Sequence, residues 1–405
     1  MRTAKRFQVF VSGWSIIVFL CLGMTVGCAG VSGNGTQMSA TAPTNASGQS
    51  SSTAQYVYVA NGTSNIYGFE INSNGSLSAL QGFPASTTIA ASYFSAAKHT
   101  LLVGGSVNSS GAAEAVLYNI NPASGMLTSE SSTSANLWQG VLDPSAQFAY
   151  AVGGTSANVN ATVSGYATVS GNFSPVPDSP YEFAIGEGSN PLIGQKLQMD
   201  PSGAFVYISA TPEEEHTPAP WLGVAAVNND GSLSGFASYS AGCISAADMA
   251  TVLQSSKTLM YSSCIDQWNG EYWISAVLID HATGGLTDLG AAWQDPTSTE
   301  RITALAAEPS GTWLAGIDGN NNLVHVMAVN ANGSLTDAPD HIFPTGIAPT
   351  ALAFDRTGQF LYVINSGSND MSAYAFDRTT GLLTPLAGSP FAMPEGSTSF
   401  VVAQP

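Results

Sequence analysis

Positive charge is what this chain has least of. Of 405 residues only nine are Lys or Arg, against 27 Asp and Glu, and Arg2, Lys5 and Arg6 take three of the nine. The surface beyond them repels phosphate backbones and anionic headgroups, so no nucleic-acid partner is expected. Charge of either sign makes up just 9% of the residues, and Gly, Ser, Thr and Asn supply the polarity instead. Cysteine is scarce: Cys21, Cys28, Cys243 and Cys264 have no metal-ligand spacing. There is no Gly-Xaa-Ser-Xaa-Gly nucleophile elbow, no phosphate-binding Gly loop and no His-Glu-Xaa-Xaa-His motif. The N-terminal apolar stretch through Trp14, Ile16 and Leu20 is short and interrupted, which argues against a permanent spanning helix.

That stretch follows a basic start and precedes small residues, the order of an export signal. Its end, Thr25-Val26-Gly27-Cys28, resembles a bacterial lipoprotein box, with Thr25 where Leu is usual. The resemblance implies a signal over residues 1–28 and a lipid on Cys28, which would be the only membrane attachment. Secretion without the lipid is the alternative. Residues 29–55, rich in Ser, Thr, Gly and Ala, read as a flexible tether. An extracytoplasmic location, in the cell envelope or periplasm, is therefore expected.

From residue 56 onward the chain repeats itself. With Leu361 of "FLYVIN" as reference, equivalent positions are Val57, Leu101, Ala149, Val206, Met260 and Leu314. The seven copies are spaced as four-stranded propeller blades are. A tight turn precedes the second strand: "DPSAQF" at Asp143, "DPSGAF" at Asp200, "EPSGTW" at Glu308 and "DRTGQF" at Asp355. A later hairpin recurs as "NSNGSL" at Asn72, "NNDGSL" at Asn228 and "NANGSL" at Asn330. The first copy begins at "YVYVAN" and lacks an innermost strand, and the final "STSFVVAQ" matches the missing one. The expected fold is an all-β, seven-bladed propeller over residues 56–405, closed by pairing of its two ends. In that register Cys243 and Cys264 lie at the same sheet end. They read either as a disulfide or as two buried thiols.

The segments "GQFLYVINSGSNDMSAYAFDRTTGLLTPLAGSPF" and "YVYVANGTSNIYGFEINSNGSLSAL" resemble the bacterial YVTN-repeat and lactonase-type seven-bladed propellers, which include 6-phosphogluconolactonase-like proteins. The resemblance covers residues 56–405 and implies hydrolysis of a sugar-derived lactone, with no cofactor. Lactonase-type members often carry His where the innermost strands begin. The positions read as equivalent here are Ala90, Trp138, Gln195, Met249, Thr303, Thr350 and Ser399, none of them His.

Two groups of residues are candidates for function. At or beside the starts of innermost strands stand Lys196, Asp248, Glu300 and Arg301. A carboxylate such as Glu300 could activate water while Arg301 or Lys196 stabilises an oxyanion, or the four could pair and seal the channel. Three long loops of the middle blades hold Glu182, His216, Trp221, Trp268 and Glu271, a mixture of acids and rings that suits a sugar. No metal site is expected: Glu213–His216 reads as a solvated acidic loop and Asp318–Asn322 as an exposed turn. The chain is thus expected to be a monomeric exported lactonase acting on an unphosphorylated sugar lactone. The alternative is a non-catalytic envelope propeller that binds carbohydrate or protein.

Overall fold

A strand with neighbours on both edges and a blade against each face has no wet side, so its sequence is a continuous apolar run rather than an alternation. Gln55–Ala60 is buried at all six positions and Phe360–Asn365 at five. The computed structural model describes residues 54–107, 112–133, 139–153, 162–182, 192–212, 221–240, 246–254, 257–266, 271–280, 285–295 and 300–405. Their strands form seven antiparallel sheets of four principal strands, a closed seven-bladed β-propeller. Among these residues the only helical element is a single turn, Val169–Gly171. No helix in them is long and apolar enough to cross a membrane. The signal, Cys28 and the tether up to residue 53 lie outside the described residues.

Blade 1 joins the two ends of the chain as the repeat requires. Ser399–Ala403 is its innermost strand and pairs antiparallel with Gln55–Ala60, Tyr58 opposite Val401. The innermost strands of blades 2 to 7 are Ile89–Ala97, Gln139–Leu142, Leu192–Met199, Ala246–Gln254, Ile302–Ala307 and Pro349–Phe354. Each touches the next around the channel, and Ser399–Ala403 touches both Pro349–Phe354 and Ile89–Ala97. The face where these strands begin is called the upper mouth, and the face where they end the lower mouth.

Two polar devices recur in an otherwise apolar stack. The first ties blades 1, 3, 5 and 7 to the blade that follows each of them. Tyr58, Tyr150, Tyr261 and Tyr362 are buried, and their hydroxyls donate to the carbonyls of Gly125, Gly231, Gly333 and Gly75, at 2.7–3.0 Å. Each of these glycines sits in the outer hairpin of the following blade at positive φ. A Cβ on Gly75 would stand 2.4 Å from the Phe360 ring, so turn conformation and blade contact both require Gly there.

The second device is the Asp of the inner turn. Buried Asp355 accepts backbone N–H bonds from Thr357, Gln359 and Phe360 at 2.7–3.0 Å. It also accepts from Gln55 Nε2 at 3.0 Å, and Gln55 Oε1 takes the Arg356 N–H at 2.7 Å. The two-way clasp between Gln55 and the turn of blade 7 locks the ring beside the closing strand.

Candidate functional site

The channel wall is shaped by a recurring irregularity. In blades 2, 4, 5, 6 and 7 the innermost strand carries a β-bulge near the upper mouth, at Ser92, Gln195, Ala247, Thr303 and Thr350. A bulge re-aims the residue that follows it. Counting along the sequence placed the mouth positions of blades 2 and 5 at Ala90 and Met249. Strand pairing places them at Ser92 and Ala247: the pair equivalent to Phe354 and Leu361 is Ala96 and Leu101 in blade 2, two residues closer in sequence, and Thr251 and Met260 in blade 5, two residues further apart. Neither is His.

The residue past the bulge, with its equivalents in blades 1 and 3, makes a ring of seven set by strand pairing. Blades 2 to 5 contribute Tyr93, Gln139, Lys196 and Asp248, and blades 6, 7 and 1 contribute Ala304, Ala351 and Ser399. Polar groups thus fill one arc and small residues the other. The four polar residues all line a cavity of about 310 Å³. Lys196 Nζ lies 2.9 Å from Asp248 Oδ1, with side chains 34% and 17% exposed. Asp248 Oδ2 accepts the Leu305 N–H of the next blade at 2.9 Å, and Gln139 Oε1 accepts that of Leu197 at 3.0 Å. The Tyr93 ring lies where Gly104 leaves no Cβ, and its buried hydroxyl has no hydrogen-bond partner among the described residues.

Glu300 and Arg301 go elsewhere. Arg301 lays its guanidinium 4.2 Å above the Tyr272 ring of blade 5, a cation–π contact. Glu300 accepts no help from it and instead places Oε2 3.4 Å from Nδ1 of His325, which is wholly buried on Leu323–Val329. Neither His325 nitrogen makes a hydrogen bond among the described residues. Around them stand Asp295, whose Oδ2 accepts the Glu300 N–H at 3.0 Å, and Asp318, whose carboxylate serves its own Asn320–Asn321 turn. Trp293 donates to Asp337 at 2.8 Å, and the Trp293 and His341 rings lie 6.0 and 6.1 Å from that of His325. Loss of hydration, then the charges of Asp295 and Asp318, push the Glu300 carboxyl up, while loss of hydration holds the His325 imidazole down. Among the described residues no His, Cys, Asp or Glu group has the arrangement of a metal site.

The sequence pointed to Glu300 but not to His325. A partial signal was present: the positions paired like His325 in blades 3, 4, 5 and 7 are Ser164, Gly223, Ser275 and Ser372, all small, while blades 1 and 2 carry Tyr67 and Val116. A bulky imidazole at this position has a direct consequence for pH dependence. Between the lowered pKa of His325 in the fold and its ordinary 6.5, the unfolded chain holds the extra proton. Acidification below 6.5 therefore favours unfolding, by up to about 1.4 kcal/mol per pH unit for one proton. Glu300 acts with the opposite sign, because its raised pKa makes the fold gain stability as pH falls through that value toward 4.5. His325→Leu is expected to abolish the acid-side loss and leave the Glu300 gain. Urea unfolding at about pH 7 and about pH 5.5 measures this, and identical slopes in wild type and variant would contradict it.

Of the loop candidates, Glu182 and Glu271 are exposed strand residues opposite Thr162 and Asp266. Trp221 begins Trp221–Val227, while His216 and Trp268 lie outside the described residues. Cys264 is buried and disulfide-bonded, and its expected partner Cys243 also lies outside them.

Fold and channel define a closed seven-bladed propeller with a one-sided polar cavity. The family described as "Lactonase, 7-bladed beta-propeller" matches residues 273–401, so the resemblance seen in the repeat holds where that match extends. No curated protein matches the chain in sequence. Among solved structures it is similar to the periplasmic gluconolactonase of Pseudomonas aeruginosa, at 17% identity and TM-score 0.65, over 86% of this chain and 99% of that one. A Bacteroides fragilis protein provisionally named a 6-phosphogluconolactonase gives 15%, 0.66, 87% and 99%. A hypothetical selenium-binding protein of Sulfolobus tokodaii still gives 10%, 0.60, 87% and 92%. At these identities the likeness is one of fold, and the fold serves more than one chemistry.

Proposed function

We propose that this propeller hydrolyses a sugar-derived lactone in the upper channel cavity. The observation that supports the reading is the polar arc: Tyr93, Gln139, Lys196 and Asp248 line one cavity of about 310 Å³, while the same ring positions in blades 6, 7 and 1 are Ala304, Ala351 and Ser399. That space is at the small end of ligand cavities and suits a single sugar ring, with polar groups on one side to orient its hydroxyls. A lactone carbonyl directed at Lys196 would find an ammonium to stabilise the oxyanion formed when water attacks. Each Asp248 oxygen already accepts one hydrogen bond and keeps a lone pair, so the carboxylate can take the proton from that water. Collapse of the intermediate breaks the ring C–O bond, the ring oxygen takes the proton held by Asp248, and the product is a hydroxy acid with Asp248 again a carboxylate.

Few cations and an acidic surface favour an unphosphorylated substrate. The N-terminal 28 residues support export, with Cys28 as lipid anchor, residues 29–55 as tether, and a monomeric propeller outside the cytoplasm. The full chain incubated with a panel of unphosphorylated aldonolactones, with acid release followed at constant pH, is expected to exceed spontaneous opening. If no lactone is opened while glycans or an envelope protein are retained, the catalytic reading gives way to a non-catalytic binding propeller.

A further inference from the structure

The lower end of the channel carries a second feature that the lactone reading does not use. Of the six cations beyond the N-terminus, Lys196 is paired with Asp248, Arg378 with Glu308, and Arg301 covers Tyr272. Lys98, Lys257 and Arg356 make no ion pair among the described residues, and of these Lys98 and Arg356 line one cavity of about 420 Å³ at the lower mouth. Arg356 occupies the turn position held by Pro144, Pro201 and Pro309 in three other blades, so one guanidinium interrupts a set of prolines. Its Nη2 reaches from blade 7 to the Ala96 carbonyl of blade 2, at 3.3 Å, which brings it to the strand that ends beside Lys98. Loss of hydration within the mouth lowers its pKa, and no carboxylate offsets that loss. Asp200 lines the same cavity but is buried, and its carboxylate accepts from Ser202 N at 2.8 Å and Tyr207 OH at 3.1 Å.

We propose that the lower mouth binds a small hydroxylated monocarboxylate between Arg356 and Lys98. A planar guanidinium with one N–H on Ala96 keeps others for a carboxylate, and this geometry matches a carboxylate better than a point charge does. Gln198, Gln404 and Thr251 line the same cavity and offer amide and hydroxyl partners for a polyol chain. The space exceeds what an inorganic anion needs, and the acidic surface around it disfavours a dianion. The upper and lower cavities share Ala96, Leu142, Gln198 and Met199, so they are stretches of one channel. The carboxylate site stands whether or not the upper cavity opens lactones.

Isothermal titration of the full chain with sodium gluconate, glucose and sodium phosphate tests the assignment. Gluconate is expected to bind and glucose not, and affinity should fall as sodium chloride is raised. Arg356→Gln should weaken gluconate about tenfold or more, and Lys98→Met should weaken it in the same direction. Lys257→Met, an exposed cation that lines neither cavity, should leave it within about twofold. Two results would overturn the proposal: unchanged gluconate affinity in Arg356→Gln and Lys98→Met, or binding of phosphate but not gluconate. Should Arg356→Gln fail to fold, Lys98→Met decides the same question.

Discussion

Asp355→Ala is expected to destabilise the propeller by roughly 3–5 kcal/mol, measured by urea unfolding. The carboxylate is wholly buried and takes three backbone N–H groups and the Gln55 amide; an Ala leaves all four donors without their acceptor. Asp143 makes the same turn in blade 3, with N–H bonds from Ser145, Gln147 and Phe148 at 2.6–2.9 Å, but has no bond to the strand that closes the ring. Asp143→Ala should therefore cost less, and the difference isolates the closing clasp. Gln55→Ala should cost about 1–2 kcal/mol, and combined with Asp355→Ala should add less than its own effect because the two share one contact. Full additivity would show that the clasp contributes nothing to closure.

Lys196→Met is expected to lower kcat/KM for lactone opening by about a hundredfold to a thousandfold, the usual cost of losing one oxyanion donor. The loss should fall mainly on kcat, because the charge that Lys196 meets develops only in the transition state. Met keeps the apolar stem against the channel wall, so packing changes little. Asp248→Asn should be comparably damaging by removing the base, while keeping a side-chain oxygen for the Leu305 N–H. The double variant should be little worse than either single one if the two groups act on one intermediate. Activity unaffected by Lys196→Met would sink the upper-cavity mechanism and leave the fold untouched.

The architecture was legible because a propeller repeats one local problem seven times. The Asp turn, the Asn-Gly hairpin and the doubly covered second strand each leave a residue pattern, and "STSFVVAQ" betrayed its displaced strand. Lys196 and Asp248 were legible as charged breaks near strand starts that could pair, and they do, whereas Glu300 and Arg301 join neither. The meeting of Lys196 and Asp248 depends on bulges in blades 4 and 5, and a bulge changes pairing without changing composition. The two-residue offsets at Ser92 and Ala247 had another cause, inner hairpins that are shorter in blade 2 and longer in blade 5 than in blade 7. Arg301 illustrates the opposite limit: adjacency to Glu300 in sequence says little in a strand-like segment, where neighbours diverge. Arg356 was visible only as a substitution within the repeat, a cation among prolines, and His325 less clearly still, since Ser and Gly fill its position in four blades but Tyr67 and Val116 in two.

The clasp between Gln55 and Asp355 joins residues 300 positions apart, and Ser399–Ala403 pairs with a strand more distant still. During synthesis the edge of Gln55–Ala60 therefore waits for the last residues before it acquires its partner. Contacts so far apart make closure a late and slow event, with the loop entropy of nearly the whole propeller to overcome first. Until then an apolar strand edge is open to pairing with other chains. A chain that crosses a membrane unfolded and folds only on the far side would have all seven blades available together when that step begins.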